Sequence, residues 1–227
     1  MCVCPTSLIG NFAFQPKALT AILPKPPPPI SSQSNQLSLP IDLPTPSRRT
    51  VVVIDPGHGE SDPGSVSNQG SLKESDITLD IALKVASFLR EKNIEVVMTR
   101  DRDIELDLEP RVSIAERFKG KVAAFVSIHV NGMDPPRPDI NGLETYYYQS
   151  GADLARAIHD SVLQGTGIRD RGVRTARFYV LRKTSMPSAL IETGILTGSE
   201  DYQKLANSEF RLRMAKAIAR GILRYLG

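Results

Sequence analysis

Val51-Val52-Val53-Ile54-Asp55-Pro56-Gly57-His58-Gly59 is an apolar run that stops in a Pro/Gly turn carrying Asp and His. A run of β-branched residues, apolar at every position, suits a strand covered on both faces. Such a strand delivers the residues after it to the carboxyl edge of a sheet, where α/β folds bind ligands. The arrangement recurs in Ala123-Ala124-Phe125-Val126-Ser127-Ile128, which His129 follows directly, ahead of Val130-Asn131-Gly132. The chain has only three His, so two of them at the ends of apolar strands point to one shared site. The third, His159, lies mid-helix beside Ile158 and Asp160 and is read as a surface residue.

Outward from these two strands the pattern alternates. Further strands are expected over 94–99, 142–148, 173–181 and 188–192, with 51–55 and 122–128 completing the set. Helices are expected over 74–92, 108–118, 152–163 and 208–226. In the first of these, Ile77, Ile81, Ala82, Val85, Phe88 and Leu89 recur at helical spacing. A β-α-β-α-β opening implies an α/β fold. The expected architecture is a three-layer sandwich, with a mostly parallel central sheet of about six strands flanked by helices.

Residues 1–49 read differently. Pro24-Lys25-Pro26-Pro27-Pro28-Pro29 and the polar patch Ser31 to Asn35 lack the apolar surface needed to offset ordering entropy. They are expected to form a Pro-rich tail or linker, with residues 50–227 as the folded domain. Hydrophobic content of 41% is that of an ordinary globular chain, and a net charge of +3 gives no case for nucleic acid. Both cysteines, Cys2 and Cys4, lie in the tail, which excludes thiol chemistry, disulfides and Cys-ligated zinc from the folded part. No apolar stretch is long enough to span a membrane, and Met1-Cys2-Val3-Cys4-Pro5 lacks the basic start of a secretory signal. An export signal or upstream domains missing from this chain are therefore expected if the protein acts outside the cell.

His58, Glu74 and His129 form a potential ligand set. Two imidazoles and a carboxylate with an open fourth position are a catalytic zinc arrangement. Glu74 has a competing role, because Ser71-Leu72-Lys73-Glu74 also has the form of a capping box. A candidate general base follows the short run Ala189-Leu190-Ile191, in Glu192-Thr193-Gly194. Asp55-Pro56-Gly57-His58-Gly59 lacks the spacing and terminal Lys-Ser/Thr of a phosphate-binding P-loop.

Six segments in order carry a wider likeness. They are Asp55 to Gly59, Lys73-Glu74-Ser75-Asp76, Thr99-Arg100, Ser127 to Asn131, Gly142 to Tyr147, and Ile191 to Gly194. Together they resemble the zinc-dependent N-acetylmuramoyl-L-alanine amidases of the AmiC type, over about residues 50–227. The resemblance implies one zinc per chain on His58, Glu74 and His129, with Glu192 as the catalytic glutamate. It implies cleavage of the amide between N-acetylmuramic acid and L-alanine of peptidoglycan, in the periplasm or cell wall, with a role in cell separation. A monomer without nucleic-acid partners is expected.

Glu60 stands where the family often has a second Gly, and Ala115-Glu116 where Ala-Asn is common. Regulated members carry a long insertion after the Tyr-rich strand that covers the zinc. Here only Gln149-Ser150-Gly151 separates Tyr148 from the next helix. An open site without an occluding helix is expected. The basic cluster Arg169, Arg171, Arg174, Arg177, Arg182 and Lys183 suits carboxylates of stem peptides, since guanidinium binds them through a fork. Arg174, Arg177 and Arg182, with Asn131, are the candidate substrate contacts. Two other readings remain open: a zinc carboxypeptidase acting on cell-wall peptides, and a non-catalytic cell-wall-binding module.

Overall fold

The computed structural model describes residues 50–227; the Pro-rich tail expected over 1–49 lies outside the described residues. Six strands form one sheet: β1 (Val51–Pro56), β2 (Glu95–Met98), β3 (Val122–Asn131), β4 (Leu143–Tyr147), β5 (Asp170–Thr175) and β6 (Ser188–Ile195). Their spatial order is β2-β1-β3-β6-β4-β5. All neighbours run parallel except β4 and β6, which are antiparallel. The sheet is thus mostly parallel and flanked by helices, as the alternating sequence pattern implies.

The helices are α1 (Glu74–Arg90), α2 (Leu108–Glu116), α3 (Ala152–Thr166), α4 (Tyr179–Lys183), α5 (Ser199–Ala206) and α6 (Ser208–Leu226). Side chains alternate across the strands and divide the core in two. Val52, Ile54, Val126, Ile128 and Ile191 pack toward α1, α3 and α6. Val51, Val53, Phe125 and Leu190 pack toward α2 and α4. Past the apolar part of each strand, the second face turns polar. Asp55, Ser127, His129, Asn131, Glu192 and Glu144 share it by the same alternation, and that is where the site forms.

Three expectations need correction. The strand expected over 173–181 is β5 followed by the short helix α4. The apolar run Tyr179-Val180-Leu181 carries no periodicity that separates strand from helix at this length, and it buries Val180 and Leu181 as one helical turn. α5 is absent from the sequence-based expectation. Its start is fixed from a distance: Asn141 Oδ1 accepts from the main-chain N–H groups of Glu200 and Asp201, each at 3.0 Å. No local signal encodes that cap. His159 is buried, not on the surface. It falls on the arc with Ala155, Ile158 and Val162, and its two ring nitrogens meet Thr145 Oγ1 and Asp170 Oδ1, both at 2.9 Å. A buried His with both nitrogens partnered serves packing.

Candidate active site

β1 ends in the turn that carries His58, and two buried arginines hold that turn through its main-chain oxygens. Arg111 on α2 donates to the carbonyls of Pro56 and His58, at 2.5 and 2.9 Å. Arg100, just past β2, donates to the carbonyls of Pro56 and Gly57, at 3.1 and 2.7 Å, and to that of Ser75 in the first turn of α1, at 2.9 Å. Arg111 is itself anchored on Asp55, which is 1% exposed, at 2.9 Å. The other partners of Asp55 are Thr99 Oγ1 at 2.6 Å and Ser127 Oγ at 2.7 Å. A buried carboxylate with this many donors is fully compensated. The network fixes a strained backbone, since His58 sits at φ +59, a left-handed conformation that non-glycine residues adopt rarely.

Glu74 begins α1, and its carboxylate does not cap the helix. The capping-box expectation fails: the residue before the helix is Lys73, with no side-chain cap bond, and Ser71 Oγ instead pairs with Tyr202 Oη at 3.2 Å. Glu74 points the other way, into the sheet edge. Its Oε2 accepts from Ser65 N at 2.8 Å and its Oε1 from Val130 N at 2.9 Å. The same Oε1 lies 2.8 Å from His129 Nδ1 and 3.2 Å from His58 Nε2. His58 Nδ1 is bonded to Asp62 Oδ2 at 2.7 Å, which leaves Nε2 facing the cluster. A carboxylate behind an imidazole is the usual outer support of a metal-ligating His.

Two glycines make room for this convergence. A Cβ on Gly57 would run into the His129 ring. One on Gly64, at φ +62, would lie 2.6 Å from both Glu74 Oε2 and His58 Cδ2.

One ligand atom from each of His58, Glu74 and His129 falls within 4.8 Å of the others. Two neutral nitrogens and one anionic oxygen are a donor set that fits zinc and leaves a further position open. The same carboxylate also draws protons onto the two imidazoles, and a bound metal has to displace them. Burial would lower the His58 pKa, but its bonds to Glu74 and Asp62 outweigh that and lift it to about 9. His129 is raised against its own burial by Glu74 and Glu192. Burial would raise Glu74, yet the two imidazoles hold it far below the usual carboxylate range. Glu74 is therefore an anion that holds positive charge on its neighbours.

Glu192 completes the row. It is the register partner of His129 on the parallel β3 and of Glu144 on the antiparallel β4. Its Oε2 is buried with no hydrogen-bond partner among the described residues. Burial first, and then the neighbouring Glu74 and Glu144 charges, push its pKa up to about 7, with His129 pulling the other way. A carboxyl group poised there can both take and give a proton near neutrality. Beside the cluster a cavity of about 150 Å³ is lined by His58, His129, Asp62, Glu105, Leu108 and Val180. A second depression, of about 390 Å³, involves Ser65, Val66, Gly132, Met133, Pro136 and Thr197. The loop after β3 thus forms one rim.

The structure brings His58, Glu74, His129 and Glu192 together and places Asn131 beside them. Arg177 and Arg182 are exposed on and before α4. Arg174 joins the row indirectly, through Glu144, a residue that sequence reasoning quoted in a motif without assigning it a role. Glu144 is 3% exposed. It accepts from Asn131 Nδ2 at 3.3 Å and pairs with Arg171 Nε at 3.4 Å and Arg174 Nη1 at 3.2 Å. The usable signal was an acidic residue flanked by Leu143 and Thr145 in a buried strand, where an unpaired charge is not tolerated.

The family model of N-acetylmuramoyl-L-alanine amidases matches residues 52–224. The chain is 51% identical to the amidase AmiC2 of Nostoc punctiforme, with a TM-score of 0.76 over 79% of this chain and 98% of that one. It is 40% identical to the catalytic domain of the amidase CwlV from Bacillus (Paenibacillus) polymyxa, with a TM-score of 0.74 over 78% and 98% of the two chains. It is 37% identical over 204 residues to the amidase LytC of Bacillus subtilis, an alignment covering 87% of this chain and 39% of LytC. The chain therefore spans well under half the length of that relative.

Proposed function

Because the chain belongs to the N-acetylmuramoyl-L-alanine amidase family, we propose that it is a zinc-dependent hydrolase of the amide between N-acetylmuramic acid and L-alanine in peptidoglycan. Residues 50–227 are its catalytic unit, and it acts outside the cytoplasm, at the cell wall. The observation that carries this reading is the placement of Glu192, register partner of His129, with one buried and unpartnered oxygen. Among the described residues no helix is long and apolar enough to cross a membrane.

In this mechanism His58, Glu74 and His129 would hold the ion, His58 through the Nε2 that faces the cluster. Bound zinc supplies Lewis acidity, lowering the pKa of water to roughly 7 and polarising a carbonyl. Glu192 accepts the proton of the attacking water and passes it to the departing L-alanine nitrogen. A carboxyl group held near neutrality loses little in either direction of that relay. Asp62 keeps His58 in the tautomer that leaves Nε2 free, and Arg100 and Arg111 keep its loop in place.

The test is direct. The full chain, loaded with one equivalent of zinc and given purified cell walls, should release stem peptides with new L-alanine amino termini. New C-terminal residues within the peptides, instead of free L-alanine amines, would make it a carboxypeptidase. Binding to walls without release would make it a binding module.

A further inference from the structure

Glu144 collects more positive charge than it needs. Its side chain is 4% exposed and meets two guanidinium groups, of which one would neutralise it. The second is in excess. Arg171 is the more enclosed, at 28% side-chain exposure, and its Nε contributes nothing beyond the ion pair. Arg174 is 56% exposed. Its Nη1 faces Glu144 at 3.2 Å and its Nη2 donates to the Arg171 carbonyl at 3.0 Å. Two contacts on one edge fix the guanidinium plane, and a group with five N–H donors has others left for solvent. The remaining basic residues are placed differently. Arg169 pairs with Glu200 at 3.5 Å, and Arg177 and Arg182 are exposed and outside the Glu144 cluster.

Distance decides what Arg174 meets. β5 lies two strands from β6, about 10 Å at the usual strand spacing. An extended peptide covers that span in about three residues. A substrate with its scissile amide at Glu192 can therefore lay a side branch or main-chain carboxylate of its first few residues on Arg174. Tyr146, the register partner of Arg174, stacks edge-on against Phe178 with ring centroids 5.2 Å apart, and Phe178 is 41% exposed. Tyr146 thus lies beside Arg174 across the β4–β5 pair.

We propose that Arg174, oriented by the buried Glu144, is a specificity-determining subsite for a carboxylate on the stem peptide. The subsite rests on the amidase reading above. It narrows the basic cluster to one recognition residue and assigns Glu144 as its positioning residue.

The experiment uses two muropeptides identical except that one stem carboxylate is free or amidated. With the zinc-loaded full chain, the free acid should have the lower KM. Arg174→Gln should raise KM for the acid about tenfold or more, the scale of a lost hydrogen bond to a charged group, and leave the amide unchanged. Arg174→Lys should restore part of the preference, Glu144→Gln should reduce it, and Arg177→Gln should keep it. Calorimetric binding of both muropeptides to the Glu192→Gln variant reads the same preference without turnover. Failure of the wild-type protein to cleave either compound would overturn the amidase reading, while the binding arm still decides the subsite. Equal losses on acid and amide, equal affinity for the two, or binding of neither would overturn the subsite.

Discussion

The guanidinium of Arg111 donates to the main-chain oxygen of His58 at 2.9 Å while its other terminal nitrogen pairs with Asp55 at 2.9 Å. The imidazole reaches Glu74 from a left-handed backbone, and that backbone is held by a residue more than fifty positions away in sequence. Arg111→Ala should leave Asp55 buried and short of its cation. Breaking such a pair costs about 3–5 kcal/mol, or roughly 10 °C in Tm for a domain of this size. Zinc affinity, measured by chelator competition, should fall as well, and Arg111→Lys should recover stability better than affinity, because a point charge cannot hold both the carboxylate and the carbonyl. Unchanged affinity in a stable Arg111→Lys protein would remove the loop-holding role.

His58→Ala and His129→Ala should each abolish stoichiometric zinc binding. Glu74→Gln keeps the size of the side chain and its acceptor for Ser65 N but removes the anion, so it should weaken zinc binding and leave helix content unchanged. Retained zinc affinity together with retained hydrolysis in Glu74→Gln would take Glu74 out of the ligand set.

Glu192→Gln should retain one zinc and the wild-type fold and lose activity by about 10²–10⁴-fold, the usual contribution of a general acid–base. Zinc content and turnover measured on the same preparation separate the two roles. Loss of the metal in this variant would place Glu192 among the ligands.

The zinc-free protein should become less stable as pH rises. His58 has its folded pKa lifted from 6.5 to about 9. Its contribution is therefore complete below pH 6.5 and lost as pH passes through 9. Glu192 is lifted from 4.5 to about 7, so the folded state binds its proton more tightly and stability falls between those values too. Both slopes have the same sign. Melting curves of chelator-treated protein from pH 4.5 to 9 should show the decline, and Glu192→Gln should flatten its lower part. Added zinc should reverse the upper part, since the metal binds deprotonated ligands. A melting temperature that rises with pH in the chelated protein contradicts this account.

Hydrolysis should need no second protein. Gln149–Gly151 forms a single 3-10 turn that leads straight into α3, whereas a helix crossing the site requires about two to three turns. The side chains of His58 and His129 keep 25% and 21% exposure. The full chain incubated alone with purified walls should release product. Activity that appears only after a partner is added would establish regulation from outside the fold.

The strand ends were legible because chemistry and pattern coincide there. An all-apolar run stopping in Asp55 to Gly59, another stopping at His129, and a third stopping at Glu192 meet on one edge when the strands run parallel, as β1, β3 and β6 do. Order along the chain and strand type together pointed to the α/β class and to His58, His129 and Glu192, and the likeness over six segments added Glu74. The limits of helices and strands followed wherever periodicity was long enough to count, as in α1 and α6.

Tertiary structure decided the rest, because the deciding partners are far apart in sequence. Local spacing left Glu74 between a helix cap and a ligand, and only the tertiary structure shows its carboxylate turned away from the cap toward His58, His129 and Val130 N. His159 reads as polar from its neighbours, yet α3 turns it onto Thr145 and Asp170. α5 is capped by Asn141 across the fold. Glu144 gains its meaning from lying opposite Glu192 on an antiparallel strand, a reversal that an alternating β/α sequence does not specify. A chain writes its apolar periods locally, but a buried charge is defined by whichever distant groups neutralise it.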